Sequence, residues 1–165
     1  GDGDAVLYAK ELVKNESFAV LFGDDVVISQ KPCLKQLIEV YEKYQAPVAA
    51  LEEVPLAEVD KYGIITGKEV ETDVYKIAQI VEKPKPSDAP SRLSIVGKYI
   101  LTPAVLDIMS QLAPDDGEIR FSYALRDSAK KFSVYGYKFQ GTRYDCGSVA
   151  GWLKANRDLG AKLFL

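Results

Sequence analysis

The sequence contains no histidine among its 165 residues. This absence excludes histidine acid–base chemistry, Ser-His-Asp and Cys-His nucleophile systems, and metal sites that depend on imidazole. A metal in this chain would therefore be a hard cation held by carboxylates, with magnesium as the first candidate. Cysteine is also scarce. Cys33 and Cys146 are too few for a disulfide framework, and we expect two free thiols in a reducing compartment.

Long apolar runs and a basic surface are missing as well. No apolar run approaches the roughly 18 residues of a membrane span, and the first residues lack a signal-peptide pattern. A net charge of −3 gives nucleic-acid phosphates no general attraction. We therefore expect a cytoplasmic protein that binds neither membranes nor nucleic acids. With 47% hydrophobic residues, the composition suits a single domain over residues 1–165.

Helical and strand patterns alternate along the chain and predict an α/β fold. Residues 18–22 form a continuous apolar run, which is typical of a strand buried on both faces. A helix beginning near Pro32 and a strand over 47–54 follow, and this strand–helix–strand unit predicts a parallel sheet with a right-handed crossover. The remaining patterns predict helices over 4–13, 103–112, 118–131 and 148–163, and strands over 74–81, 93–101 and 133–139.

Acidic side chains lie between predicted elements, where a ligand site is expected. Asp24 and Asp25 follow the first buried strand, at the edge where ligands bind in open α/β sheets. A turn over 23–25 that caps the next helix is an equal alternative. Asp145 precedes the last predicted helix, and Arg143 beside it could form an ion pair rather than a site. Asp24 and Asp145 could share one magnesium ion with phosphate oxygens, although spacing alone does not bring them together.

A second group of candidates surrounds the later strands. Glu82 and Lys83 end a strand, where the acid could accept hydrogen bonds from hydroxyls and the base could meet a phosphate. A solvated strand end is the alternative interpretation. Gly63 and Gly97 lie inside strand-like patterns, which indicates either close approach of a ligand to the backbone or a simple bulge.

The order of these motifs resembles that of bacterial UTP–glucose-1-phosphate uridylyltransferases, a family of sugar-phosphate nucleotidyltransferases. The colinear motifs are Gly1-x-Gly3-x-Ala5-Val6, Phe22-Gly23-Asp24-Asp25, Glu52-Glu53-Val54-Pro55, Tyr62-Gly63-Ile64, Val81-Glu82-Lys83-Pro84-Lys85-Pro86, Ile95-Val96-Gly97-Lys98-Tyr99-Ile100-Leu101-Thr102-Pro103, Gly117-Glu118-Ile119 and Arg143-Tyr144-Asp145-Cys146-Gly147. The resemblance implies an N-terminally truncated α/β fold of the Rossmann-like nucleotidyltransferase (GT-A-like) type, with a mixed, mostly parallel sheet flanked by helices. It also implies magnesium-dependent transfer of a uridylyl group from UTP to glucose 1-phosphate, giving UDP-glucose and pyrophosphate.

The resemblance also implies roles for individual residues. Asp24 and Asp145 match acids associated with magnesium, and Lys83 matches the base that meets the sugar phosphate. The remaining matches are Glu82 for sugar hydroxyls, the backbones of Gly63, Val96 and Gly97 for the sugar pocket, and Gly3 for the nucleotide base. Phosphoryl-type transfer depends on alignment and charge neutralisation, so a chain without histidine is compatible with it. The implied partners are UTP or UDP-glucose, glucose 1-phosphate and, because family members commonly associate, further copies of the chain.

The sequence departs from the family pattern in three places. The glycine-rich nucleotide-binding loop of the family has no match, Asp4 stands where the family usually has histidine, and residues 120–123 replace an acidic segment. These departures leave two alternatives to an active enzyme. The first is a catalytically inactive relative that binds sugar nucleotides or regulates, and the second is a scaffold that associates through Trp152 and Phe164.

Overall fold

The computed structural model describes residues 1–163, so Phe164 lies outside the described part of the chain. Within that part the helices are α1 (Asp2–Tyr8), α2 (Lys10–Val13), α3 (Cys33–Tyr44), α4 (Pro103–Met109), α5 (Phe121–Lys131) and α6 (Val149–Leu163). The strands are β1 (Phe18–Leu21), β2 (Asp25–Ile28), β3 (Val48–Glu53), β4 (Gly63–Glu71), β5 (Val74–Glu82), β6 (Leu93–Leu101), β7 (Tyr135–Lys138) and β8 (Thr142–Asp145). A short 3-10 helix spans Leu56–Lys61.

Six of these strands form one mixed sheet in the order β1-β6-β3-β7-β5-β4. β6 runs antiparallel to both β1 and β3, whereas β3 runs parallel to β7. The predicted mixed sheet is confirmed, but the expectation of mostly parallel pairing is wrong, because β3–β7 is the only parallel pair among the described strands. β1 and β3 do run parallel to each other, as the strand–helix–strand pattern predicts, but β6 lies between them.

Helices cover the sheet on both faces. Leu37 and Val40 of α3 pack on one face with Val48 and Ala50 of β3, while Leu51 of β3 packs on the other face with α4 and α5. Alternate residues of a strand point to opposite faces, and every residue from 48 to 51 is at most 1% exposed. This double burial suits the continuous apolar sequence of β3. The expectation that residues 18–22 form a strand buried on both faces is wrong, because β1 alternates half-buried and exposed residues and Leu21 is 49% exposed. β1 lies at the edge of the sheet. No helix in the described part of the chain is long and apolar enough to cross a membrane.

β2 and β8 form a separate antiparallel ribbon that the sequence patterns did not predict. Each strand has only four residues, which is too short to show a clear hydrophobic period. The register of the ribbon places Asp25 opposite Asp145. The alternative that residues 23–25 cap the next helix is wrong, because Asp25 begins β2 and α3 starts only at Cys33.

Candidate functional site

A cavity of about 330 Å³ lies between the ribbon, the start of β4, the end of β5 and the middle of β6. Six of the eight site residues predicted from the sequence line it, namely Asp24, Gly63, Glu82, Lys83, Gly97 and Asp145. Two of the eight lie elsewhere. The amide of Gly3 donates a hydrogen bond to the carbonyl of Ile119 at 3.0 Å, and Val96 is fully buried on the α3 side of the sheet. The structure thus brings together residues that are up to 121 positions apart, from Asp24 to Asp145.

The two acids predicted to share a cation approach each other across Gly147. A Cβ atom built on Gly147 would lie 3.1 Å from Oδ2 of Asp24 and 3.2 Å from Oδ1 of Asp145. The backbone joins the same segments, since the amide of Cys146 donates to the carbonyl of Asp24 at 2.7 Å. A side chain at position 147 would therefore intrude between the two carboxylates, and glycine keeps that space open.

This pair of carboxylates fits a magnesium ion that also binds phosphate. Magnesium prefers oxygen ligands and is usually held by one or two carboxylates together with substrate phosphates and water. The described residues contain no cluster of three or more histidine, cysteine or acidic side chains that could hold a metal by themselves. Asp24 and Asp145 can therefore supply two ligands, and a bound phosphate would have to supply others.

Glu82 and Lys83 also line the cavity, at the end of β5. Gly63 pairs with Glu82 across the β4–β5 hairpin, and a Cβ atom on Gly63 would lie 3.2 Å from Oε2 of Glu82. Lys83 adopts a left-handed backbone conformation (φ 46°), and its amide donates to the carbonyl of Tyr62 at 3.0 Å. A non-glycine residue in this conformation is uncommon and is often found at functional sites. Neither side chain forms a salt bridge within the described residues, so both are available to a ligand.

Arg143 is the central cation of the site, with a side chain that is only 6% exposed. Its guanidinium group donates to Oδ1 of Asp25 and, at 3.3 Å, to Oε2 of Glu52, and it lies 3.4 Å from Oδ2 of Asp145. Burial alone would lower the pKa of Arg143, but the charge of Asp25 and its hydrogen bond raise it above the ordinary value. The sequence prediction of an ion pair beside Asp145 is confirmed. The links to Asp25 and Glu52 were missed because they cross 118 and 91 positions of the chain.

Gly97 explains how Asp25 is held in this position. The amide of Gly97 donates to Oδ2 of Asp25 at 2.8 Å, and a Cβ atom there would lie only 2.6 Å from the same oxygen. The β3–β6 register skips residues 97 and 98, so β6 bulges at this point. In the bulge, Lys98 donates to the carbonyl of Phe22 at 2.7 Å, and burial lowers its pKa. The close approach expected at Gly97 is therefore real, but the approaching group is a carboxylate of the protein.

Comparison with known proteins places the chain in a family that suits this fold and site. A family model for nucleotidyl transferases matches residues 1–162, and the chain belongs to that family. The predicted resemblance to UTP–glucose-1-phosphate uridylyltransferases is confirmed. The chain is 40% identical over 158 residues to the enzyme of that name from Pseudomonas aeruginosa strain PAO1, covering 94% of this chain and 57% of that protein. It is 44% identical over 165 residues to a putative UTP–glucose-1-phosphate uridylyltransferase from Methanocaldococcus jannaschii, covering 99% of this chain and 58% of that protein.

Solved structures agree with the sequence comparisons. A UDP-glucose pyrophosphorylase complexed with UDP-glucose matches with a TM-score of 0.95 and 45% identity, over 98% of this chain and 63% of that one. A UTP-bound UGPase from Acinetobacter baumannii matches with a TM-score of 0.88 and 35% identity, over 98% of this chain and 57% of that one. The nucleotidyltransferase fold class is therefore confirmed. The chain spans somewhat more than half the length of these relatives.

Proposed function

We propose that the chain forms the sugar-phosphate side of a UTP–glucose-1-phosphate uridylyltransferase. The observation that carries this proposal is that the acid pair Asp24–Asp145 and the Glu82–Lys83 pair line one cavity of about 330 Å³. The proposed substrates are taken from the names of the relatives and from the UDP-glucose bound to a structural neighbour. In the reaction, a phosphate oxygen of glucose 1-phosphate forms a bond to the α-phosphorus of UTP, and the bond from that phosphorus to pyrophosphate breaks.

Lys83 and Glu82 would bind and orient glucose 1-phosphate. The ammonium group of Lys83 would neutralise charge on the attacking phosphate, which lowers the repulsion between two anionic reactants. The carboxylate of Glu82 can only accept hydrogen bonds when ionised, so it suits the hydroxyl groups of a sugar. The reaction needs no protein nucleophile and no imidazole, because alignment and charge neutralisation supply most of the rate enhancement in such transfers.

Asp24 and Asp145 would hold magnesium between them. When bound, the ion would neutralise phosphate charge and align the reacting groups. The exposure of Asp24 and the 38% exposure of the Asp145 side chain leave both carboxylates accessible to a nucleotide that enters the cavity. The homo-oligomer expected from the family resemblance stays a prediction.

Binding of a sugar nucleotide without transfer is a second candidate function. The segment over 120–123, where the family resemblance implies an acidic residue, instead brings Phe121 and Ser122 to the cavity. A site with sugar-phosphate contacts and without that acid could retain affinity for UDP-glucose and lose turnover.

Thermal unfolding with excess UDP-glucose, with and without magnesium, tests both candidates. Ligand at a hundred times its dissociation constant stabilises a protein by about 2.7 kcal/mol, which corresponds to a rise of roughly 5–10 °C for a chain of this size. Lys83→Ala should reduce the rise under both conditions. Lys85→Ala is the matched control, because Lys85 is exposed in the same segment but does not line the cavity.

Release of pyrophosphate from UTP and glucose 1-phosphate distinguishes the two candidates. Binding together with pyrophosphate release supports the transferase, and binding without release supports the second candidate. An unchanged unfolding midpoint in every condition would refute both.

A further inference from the structure

The two carboxylate oxygens of Asp145 are held in different ways. Oδ2 accepts a hydrogen bond from the hydroxyl of Tyr62 at 2.9 Å and lies 3.4 Å from the guanidinium group of Arg143. Oδ1 accepts a hydrogen bond from the amide of Gly147 at 3.1 Å and lies on the side that faces Asp24. One oxygen of Asp145 is thus turned toward Tyr62 and Arg143, and the other is turned toward the second acid.

Tyr62 is itself fixed in place from several directions. Its ring lies beneath the guanidinium group of Arg143, with 4.8 Å from the Arg143 Cζ atom to the ring centroid. Its amide donates to the carbonyl of Val59 at 3.3 Å, and its own carbonyl accepts the hydrogen bond from Lys83. An ordinary phenol is protonated at neutral pH, so the hydroxyl of Tyr62 donates to the Asp145 carboxylate.

The hydroxyl of Tyr62 is an uncharged donor to Oδ2 of Asp145, and its effect on the carboxylate differs from that of a second positive charge. Arg143 lies 3.4 Å from Oδ2 of Asp145, and a two-point ion pair that engages both oxygens is a favoured arrangement for arginine and a carboxylate. Such a pair would turn Oδ1 away from Asp24 and offset the negative charge that a divalent cation requires. The hydroxyl of Tyr62 occupies Oδ2 without neutralising the carboxylate.

We propose that Tyr62 is a positioning residue whose hydroxyl group holds Asp145 with Oδ1 toward Asp24, and so sets the affinity of this acid pair for a divalent cation. The proposal rests on the proposed function, which places the cation at Asp24 and Asp145. Groups that orient a metal ligand in this way typically change metal affinity by about 10–100-fold when they are removed. The sequence singled out Tyr62 only as part of a family motif and gave it no role.

Tyr62→Phe removes the hydroxyl and leaves the ring beneath Arg143. Tyr44→Phe is a matched control, because the Tyr44 hydroxyl also donates to a carboxylate, Oε1 of Glu71, and Tyr44 does not line the cavity. The measurement is manganese binding in the presence of UDP-glucose, followed by electron paramagnetic resonance of the free ion. Asp145→Asn gives the affinity expected when a ligand itself is lost. UDP-glucose binding in EDTA is measured on every variant as a readout that does not involve the metal.

We expect Tyr62→Phe to weaken manganese binding about 10–100-fold, while Tyr44→Phe binds as wild type and UDP-glucose binding in EDTA is unchanged in both. A merely structural role would reduce the EDTA affinity together with the metal affinity, and that result would overturn the proposal. Wild-type manganese affinity in Tyr62→Phe would also overturn it, as would a wild-type chain that binds UDP-glucose but no manganese. A wild-type chain that binds no UDP-glucose even in EDTA would instead contradict the proposed function.

Discussion

Gly97→Ala adds one methyl group at the point where β6 meets the buried carboxylate of Asp25. The new Cβ atom would lie 2.6 Å from Oδ2 of Asp25 and 2.6 Å from Cβ of Phe22, and both distances are shorter than real Cβ contacts. Asp25 cannot move aside freely, because its other oxygen is paired with Arg143 and its side chain is only 10% exposed. The substitution therefore forces either β6 or the Asp25–Arg143 pair to shift.

The expected cost follows from these contacts. Overpacking a dense interior by one methyl group costs about 1–3 kcal/mol, and losing a hydrogen bond to a charged acceptor costs about 1.5–3 kcal/mol. We expect the two effects to overlap, since one shift of β6 relieves the clash and stretches the hydrogen bond. A loss of about 3 kcal/mol in the free energy of unfolding would lower the melting midpoint by roughly 6–12 °C for a chain of this size.

Urea unfolding of Gly97→Ala beside Gly23→Ala measures this cost. Gly23 lies in the turn that precedes Asp24, and a Cβ atom there would meet nothing within 4 Å. Gly23→Ala should therefore stay within about 0.5 kcal/mol of wild type. If both variants unfold at the same urea concentration with the same slope, Gly97 is not required by the approach of Asp25 and the reasoning fails.

Two further predictions concern titrating groups. Cys33 is 6% exposed, and burial raises its pKa to about 11. Ellman's reagent at pH 8 should therefore modify the half-buried Cys146 quickly and Cys33 slowly, and Cys146→Ser should remove the single fast phase. Two equal rates would contradict this prediction. Tyr62 keeps its proton up to a pKa of about 12 in the folded chain, whereas the unfolded chain releases it from a pKa of 10.0. The stability contributed by Tyr62 is therefore complete below pH 10 and is lost as the pH rises toward 12. The urea midpoint of wild type should fall more between pH 9 and pH 11.5 than that of Tyr62→Phe, and equal falls would refute the assignment.

The helices and strands predicted correctly are those whose apolar residues form a clear pattern over neighbouring positions. β6 begins and ends at Leu93 and Leu101, as expected from its long apolar pattern, and α3 follows Pro32 with its apolar stripe. The first helix was expected as one element over 4–13, but α1 ends at Tyr8 and α2 begins at Lys10. Local patterns indicate which segments form helices and strands, but they give no information on strand order, and the apolar run at 18–22 did not reveal that β1 is exposed on one face. The insertion of β6 between β1 and β3 therefore could not be predicted from them.

The sequence predicted which polar residues belong to the candidate site, but it did not predict which of them contact one another. Asp24, Glu82, Lys83 and Asp145 were recognisable as polar residues after strands, a position that commonly carries function. Their meeting depends on the β2–β8 register, which joins residues 120 positions apart along the chain, from Asp25 to Asp145. No local pattern encodes such a pairing.

Ligands commonly bind beyond the carboxyl ends of strands in open, mostly parallel sheets. The acids of this site also lie near strand ends. Asp145 ends β8 and Glu82 ends β5, while Asp24 lies in the segment that follows β1. Each acid therefore lies at a strand end or within three residues of one, although most of the strand pairs are antiparallel. Acids gathered in this way repel one another, and Arg143 offsets that repulsion by pairing with Asp25, Glu52 and Asp145. Because the guanidinium group is already shared among three carboxylates, it neutralises none of them fully, and the charge that remains at Asp145 is available to a cation.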